Sequence, residues 1–319
     1  MTRGQRGRLR RRPSCGDLLP SNQRGGRLTV HRQHPFRLYP ARPPCLPVLI
    51  SSPHSGTFLP AEARARLACG EDVLRELDDG PVHLLFGGAP ERGIAMLAAT
   101  HRRAYVDLNR DPREIDPALL DEPAGRGDLR ISMRVRAGLG VVPSRLGCRS
   151  LYRGPLGMSE IASRLRRVYR PYHRELEQRL EGLRRRFGVA LLLDVHSMPS
   201  SAARVERRPV EIAVGDRHGR AAANELVAAA IELLTGAGLV AVRNRPFAGG
   251  HITECYGRPE RGIHALQIEV RRDLFMEEDR HEPHEGVARL APIFARLTTA
   301  LAALALERAV PARALGPVA

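Results

Sequence analysis

Four short polar islands stand at the ends of apolar runs. They are Pro53-His54-Ser55-Gly56 after PVLISS, Asp107-Leu108-Asn109-Arg110 after AYV, Asp194-Val195-His196-Ser197 after VALLL, and Glu269-Val270-Arg271-Arg272 after HALQI. A hydrolytic zinc site takes about three N or O ligands from the protein and keeps one position open for water. His54 and His196 are the natural nitrogen donors. One isolated histidine is more often structural, but two at the ends of apolar runs, with a carboxylate at a third, favour a metal. Asp194, two residues before His196, shares its side of a strand and either orients that imidazole or pairs with a neighbouring Arg. Glu269 ends an apolar run, where burial raises a carboxyl towards the range of a general base; a salt bridge to Arg271 or Arg272 is its plain alternative. Arg110, next to Asn109, offers the planar bidentate grip on a carboxylate that Lys lacks. Together these residues form the inventory of a metal hydrolase for an acidic substrate.

The islands need a scaffold that gathers them. Apolar runs broken by Gly and Pro and alternating with helical stretches read as buried strands of an α/β sheet, whose carboxyl ends are the usual ligand site. Strands are expected at about 47–52, 94–99, 104–108, 189–195, 239–242 and 264–270, with a further apolar stretch at 83–86. Pro60 opens a helix through about Leu77. Ser159 is a candidate cap for a long helix whose apolar positions Ile161, Leu165, Val168, Tyr172, Leu176, Leu180 and Leu183 step by three or four, and Gly188 stops it. Helices at about 221–234 and 284–307 complete a mostly parallel, twisted sheet covered on both faces. Residues 111–158 read as loops that include a cover over the pocket.

The chain has 319 residues, 43% of them hydrophobic, enough for a sizeable core. Its net charge is +16, and every basic residue is Arg. Eight Arg against one Asp put seven of those charges into the first 27 residues. Coding bias explains the Arg usage better than a selected polyanion surface, and the aromatic side chains that stack bases are scarce. Residues 1–40 read as an Arg-rich disordered leader, 41–310 as the folded domain and 311–319 as a tail. Cysteines 15, 45, 69, 148 and 255 are isolated and odd in number, which speaks against a disulfide framework or a thiolate zinc site. With no apolar run of about 18–20 residues and no secretory signal, a cytoplasmic location without membrane contact is expected.

The segments PVLISSPHSGTFLP, YVDLNRDP, LLLDVHSMPS, FAGGHITECYGRP and HALQIEVRRDLFM, with LYRGPL and YRPYH, keep their order over residues 45 to 280 and resemble the N-formylglutamate amidohydrolase family, related to zinc carboxypeptidases and aspartoacylases. The resemblance implies a single phosphorylase/hydrolase-like α/β domain, one Zn²⁺, and hydrolysis of an amide next to a carboxylate. It makes His54 and His196 the metal histidines, Glu269 the catalytic glutamate, and Asn109-Arg110 the pair holding the substrate's carboxylate.

Carboxypeptidases place a ligand Glu three residues after the first His, where this chain has Thr57. The resemblance moves the third ligand to Asp79 in Leu77-Asp78-Asp79-Gly80, with His83 and Glu62 as alternatives. The aromatic residue that the family carries after that Asp is replaced by Gly80-Pro81. A further Arg, Arg153 or Arg271, is expected to bind the substrate's second carboxylate. The two glycines of FAGGH either turn tightly to present His251 or Arg245 to the pocket or form a plain hairpin.

The expected activity is therefore removal of an N-formyl or similar small acyl group from an acidic amino acid. A carboxypeptidase, another N-acyl amino acid hydrolase, and a non-catalytic basic protein binding nucleic acid on the same fold are the competing readings. The sequence leaves the oligomeric state open.

Overall fold

The computed structural model describes residues 33–122 and 129–314, with side chains to residue 309. Seven strands form its central sheet: β1 (Phe36–Tyr39), β2 (Val48–Ser52), β3 (Ala95–Ala99), β4 (Ala190–Met198), β5 (Ile212–Gly215), β6 (Ala241–Arg243) and β7 (Ile263–Arg271). Their spatial order is β1-β3-β2-β4-β7-β5-β6. The inner four, β3, β2, β4 and β7, run parallel, while β1 and β5 pair antiparallel to β3 and β7. Strands β2 and β4 are buried along their whole length, as continuous apolar runs in a doubly covered sheet should be. The carboxyl ends of β2, β4 and β7 thus sit side by side, and the β4–β7 register sets Glu269 opposite His196.

Helices cover both faces. On one, helices α1 (Ala61–Arg66), α2 (Glu71–Leu77), α3 (Met158–Arg164) and α4 (Arg170–Phe187) bury Ala63, Leu74, Leu77, Ile161, Tyr172, Leu176 and Leu180. On the other, α5 (Asn224–Gly236) and α7 (Gly286–Ala314) bury Leu226, Leu234, Leu290, Phe294, Leu297 and Leu301. A short helix, α6 (His251–Tyr256), lies between them in the chain and follows the FAGGH segment. Each Leu or Ile so removed from water is worth about 1.5–3 kcal/mol. The stretch Gly286–Ala309 of α7 has the length and apolar composition to cross a membrane. Its residues at 290, 294, 297, 301 and 305 are fully buried, the stripe of a helix packed on a core.

Several expected elements differ. Residues 104–108 form turns; Tyr105, Val106 and Leu108 are apolar because the loop is buried. The helix expected from Pro60 to Leu77 breaks at Leu67, whose extended backbone (ψ 138°) starts a connection to α2. The long helix is capped at Gly157 rather than Ser159 and contains one π-helical stretch, Leu165–Tyr169, before α4. The apolar stretch at 83–86 is a 3₁₀ turn (Val82–Phe86).

Strand β1 begins before the expected domain boundary at residue 41. Phe36 and Leu38 pack on one core while Tyr39 packs on the other, a four-residue alternation too short to stand out beside the Arg-rich stretch. Residues 1–32 and 315–319, the bulk of the expected leader and tail, lie outside the described residues.

Candidate active site

Three of the expected residues converge. One nitrogen from each of His54 and His196 and one oxygen from Asp79 lie within 4.8 Å of one another, and all three side chains are buried. His54 extends from the end of β2, His196 from β4, and Asp79 from the segment that crosses over the sheet after α2. Asp79 Oδ2 is 2.7 Å from His196 Nδ1 and 3.3 Å from His54 Nδ1. The two imidazoles therefore turn the same nitrogen towards one point, with ring centroids 4.9 Å apart. Glu62 lies exposed on α1, and His83 sits in the 3₁₀ turn beyond the cluster.

Behind each imidazole stands a second carboxylate. His54 Nε2 meets Asp107 Oδ1 at 2.8 Å, and His196 Nε2 meets Asp194 Oδ2 at 3.0 Å. A carboxylate only accepts, so each Nε2 donates. This leaves both Nδ1 atoms to the shared point, the arrangement by which carboxylates orient metal-binding histidines. Of the two readings given for Asp194, the contact is with the His196 imidazole; Asp107 was visible in its island, but nothing in the spacing paired it with His54. Burial alone would lower His196, yet the flanking Asp194 and Asp79 hold it well above the ordinary histidine value. Asp79, which burial would raise, is pulled well below the carboxylate range by His54 and His196. A carboxylate between two Nδ1 atoms attracts positive charge to the place where a cation would sit, and two imidazoles with one carboxylate are a donor set that suits zinc.

Glu269 lies beside this cluster, opposite His196 in the sheet register. Burial pushes its carboxyl up to about 7, against the opposing pull of His196. Its Oε1 accepts from Gln267 Nε2 at 2.8 Å, and Gln267 Oε1 accepts from Gly250 N at 2.7 Å. One residue thus ties the glutamate to the FAGGH segment. Gly249 takes φ +115°, and a Cβ on Gly250 would come within 2.4 Å of Asn109 Nδ2, so the turn needs both glycines.

Asn109 faces inward. Its Oδ1 accepts from Ile252 N at 2.7 Å and its Nδ2 donates to Asp194 Oδ2 at 3.4 Å, so the amide braces the cluster. Arg110 donates from Nε to Leu139 O and from Nη1 to Asn109 O, while its buried Nη2 has no partner. Burial draws the Arg110 guanidinium down to about 10, and it stays charged at neutral pH.

The YRPYH segment holds the islands from below. Tyr169 OH donates to Arg110 O at 2.7 Å, Tyr172 OH meets Ser51 Oγ at 3.0 Å, and His173 Nε2 donates to Leu108 O at 2.9 Å.

The remaining expected residues are elsewhere. Arg153 donates to Leu67 O at the end of α1. Arg271 pairs with Asp273 and Glu211, and Arg245 with Glu206. Each guanidinium is drawn to local acceptors, which no spacing along the chain reveals. His251 opens α6, with its ring 5.8 Å from that of His173. Two other arginines border the cluster. Arg103 donates to Asp107 Oδ2 (2.8 Å) and Leu77 O, while Arg272 donates to Asp78 O and lies 3.8 Å from Asp79 Oδ1.

A model of the family described as N-formylglutamate amidohydrolase matches residues 46–276. The chain belongs to this family. It is 35% identical over 241 residues to the N-formylglutamate deformylase of Pseudomonas aeruginosa and 33% identical to that of Pseudomonas putida, in each case covering 73% of this chain and 83% of the relative. The crystal structure of N-formylglutamate amidohydrolase from Ralstonia eutropha JMP134 superposes with TM-score 0.78 at 35% identity, covering 88% of this chain and 99% of that one. A structure from Agrobacterium tumefaciens, 18% identical with TM-score 0.59 over 84% of this chain and 96% of its own, shares the fold. The N-formylglutamate amidohydrolase family thus gives the chain a hydrolase fold and a hydrolase's kin.

Proposed function

We propose that the protein hydrolyses the amide bond of an N-formyl acidic amino acid, with N-formylglutamate giving formate and glutamate, and that it uses one Zn²⁺ held by His54, Asp79 and His196. The observation that carries this reading is the convergence of those three ligand atoms within 4.8 Å beside a glutamate poised near neutrality. When bound, the ion supplies Lewis-acid charge to the scissile carbonyl and the attacking water.

The protein's own groups do the rest. Glu269 Oε1 is held by Gln267, so Oε2 is the oxygen that takes the proton as water adds to the formyl carbon. The same carboxyl then delivers it to the glutamate nitrogen as the C–N bond breaks. A carboxyl near 7 is matched to both tasks at neutral pH. Arg110 Nη2, the one buried donor of that guanidinium without a partner, takes a substrate carboxylate. Arg103, whose Nε and Nη1 are fixed, supplies the second guanidinium expected of Arg153 or Arg271. Asp107 and Asp194 keep the imidazoles aimed.

Release of formate from N-formyl-L-glutamate, before and after chelation and on re-adding Zn²⁺, tests the reading. N-acetyl-L-glutamate and a dipeptide ending in Glu serve as comparison substrates. Fast formate release abolished by chelator and restored by Zn²⁺ supports it; turnover of the dipeptide alone makes the protein a carboxypeptidase.

A further inference from the structure

A cavity of about 720 Å³ lies alongside the segment that carries Asp79. His54 forms one edge of it, with Asp78 and Gly80, while Asp79, His196, Glu269 and Arg110 do not line it, so it opens beside the metal cluster and shares one imidazole with it. Its volume falls within the range of small-molecule sites.

Its walls are strongly cationic. They carry Arg37, Arg75, Arg102 and Arg280 against the acids Glu71 and Asp78, while burial keeps His83 and His281, which also line it, neutral at neutral pH. Arg102 takes up both acids: it pairs with Glu71 and lies 3.1 Å from Asp78 Oδ2. Among the described residues, the other three arginines pair with no carboxylate. Arg37 reaches only Tyr39 OH, at 3.4 Å. Arg75 Nε, His83 Nδ1 and His281 Nε2 are buried in these walls without hydrogen-bond partners.

Guanidiniums gathered around one concavity repel each other and focus positive potential into it. Of the three without a carboxylate, Arg37 and Arg280 are exposed and Arg75 is half-buried; other half-buried or buried arginines such as Arg243 and Arg164 meet a carboxylate, Asp216 and Glu160, and Arg75 does not. Here the balancing negative charge is missing from the protein. We propose that this cavity binds a small multivalent anion, a phosphate or a polycarboxylate, at a site beside the hydrolytic centre and not within it. Arg forks fit both kinds of oxyanion, and three uncompensated guanidiniums call for more than one negative charge. Because Asp78 and Gly80 flank Asp79, an occupant also steadies the segment that supplies the third metal ligand.

Calorimetric titration of the full-length, zinc-loaded protein tests this, with inorganic phosphate and tricarballylate as separate probes at fixed ionic strength. One of them is expected to bind saturably at one site per chain and to raise the melting temperature; which one does so assigns the anion to the phosphate or the carboxylate class. Arg75→Gln and Arg280→Gln should each weaken binding by about tenfold or more, the scale of one charge-assisted hydrogen bond. Both variants should keep wild-type metal content and formate release. Arg280 is exposed, so its replacement keeps the test open if Arg75→Gln folds poorly. Binding should survive Arg110→Gln. No saturable binding by either probe, binding unchanged in the Arg75 and Arg280 double variant, or binding lost in Arg110→Gln would each overturn the proposal.

Discussion

Gln267 stands between Glu269 and the main chain of Gly250, donating to the carboxylate at 2.8 Å and accepting from the amide at 2.7 Å. A donor on an ionised carboxylate stabilises the charged form. Gln267→Leu should therefore raise Glu269 above about 7, and the base, active when ionised, should lose activity at neutral pH. The acidic limb of the kcat/KM profile is expected to move up by about one unit and kcat at pH 7 to fall about fivefold, with metal content unchanged. A profile superimposable on wild type would remove Gln267 from this role.

Asp107 Oδ1 receives the proton of His54 Nε2 and Asp107 Oδ2 that of Arg103 Nε, so one carboxylate steadies both a proposed metal ligand and a guanidinium beside it. Asp107→Asn should lower zinc affinity about 10- to 100-fold, the usual cost of losing such a partner. Competition with a chromophoric chelator measures it. An affinity within twofold of wild type would mean that His54 needs no such support.

Gly250 has no room for a methyl group, since a Cβ there would meet the Asn109 amide at 2.4 Å. Gly250→Ala should push Asn109 off Ile252 N and off the His196–Asp194 pair, costing about 1–3 kcal/mol in stability for the polar groups left unpaired and lowering kcat. Urea unfolding and formate release together test this. A variant with unaltered stability and rate would show that the turn relaxes freely.

His173 is half-buried between Tyr169 and Tyr256, and its desolvation there, with nearby His251, lowers it to about 3. Because the folded value lies below the ordinary one of about 6.5, the unfolded chain binds the proton first; this stability contribution is intact above pH 6.5 and drains away as pH falls towards 3. Between pH 7 and 5 the loss is about 2 kcal/mol. His173→Gln removes the titration, so the drop in unfolding free energy over that range should shrink by that amount. An unchanged drop would place the acid sensitivity elsewhere.

Much of the site was legible in the sequence because its parts are tips of buried strands. Hydrophobic runs of five to nine residues mark β2, β4 and β7, and the polar residue ending each run must face the open end of the sheet. His54, His196 and Glu269 follow from that rule, and Asp79 from the family resemblance. The arginines did not follow. Arg153 and Arg271 are drawn to a carbonyl and to carboxylates nearby, while Arg103 reaches Asp107 from four residues away, inside a buried loop that reads like a strand. In a chain so rich in Arg, only three-dimensional placement separates a substrate guanidinium from a solvated one. Strands β1 and β5 were missed because four residues carry too little periodicity, and β5 is antiparallel in an otherwise parallel neighbourhood.

The central claim is one divalent ion held by His54, Asp79 and His196, and the most direct measurement is zinc per chain by elemental analysis of the purified wild type and of Asp79→Ala after dialysis. The account predicts about one zinc in the wild type and nearly none in the variant, with formate release following the metal. An active wild type without metal, or a full complement of zinc in Asp79→Ala, would contradict it.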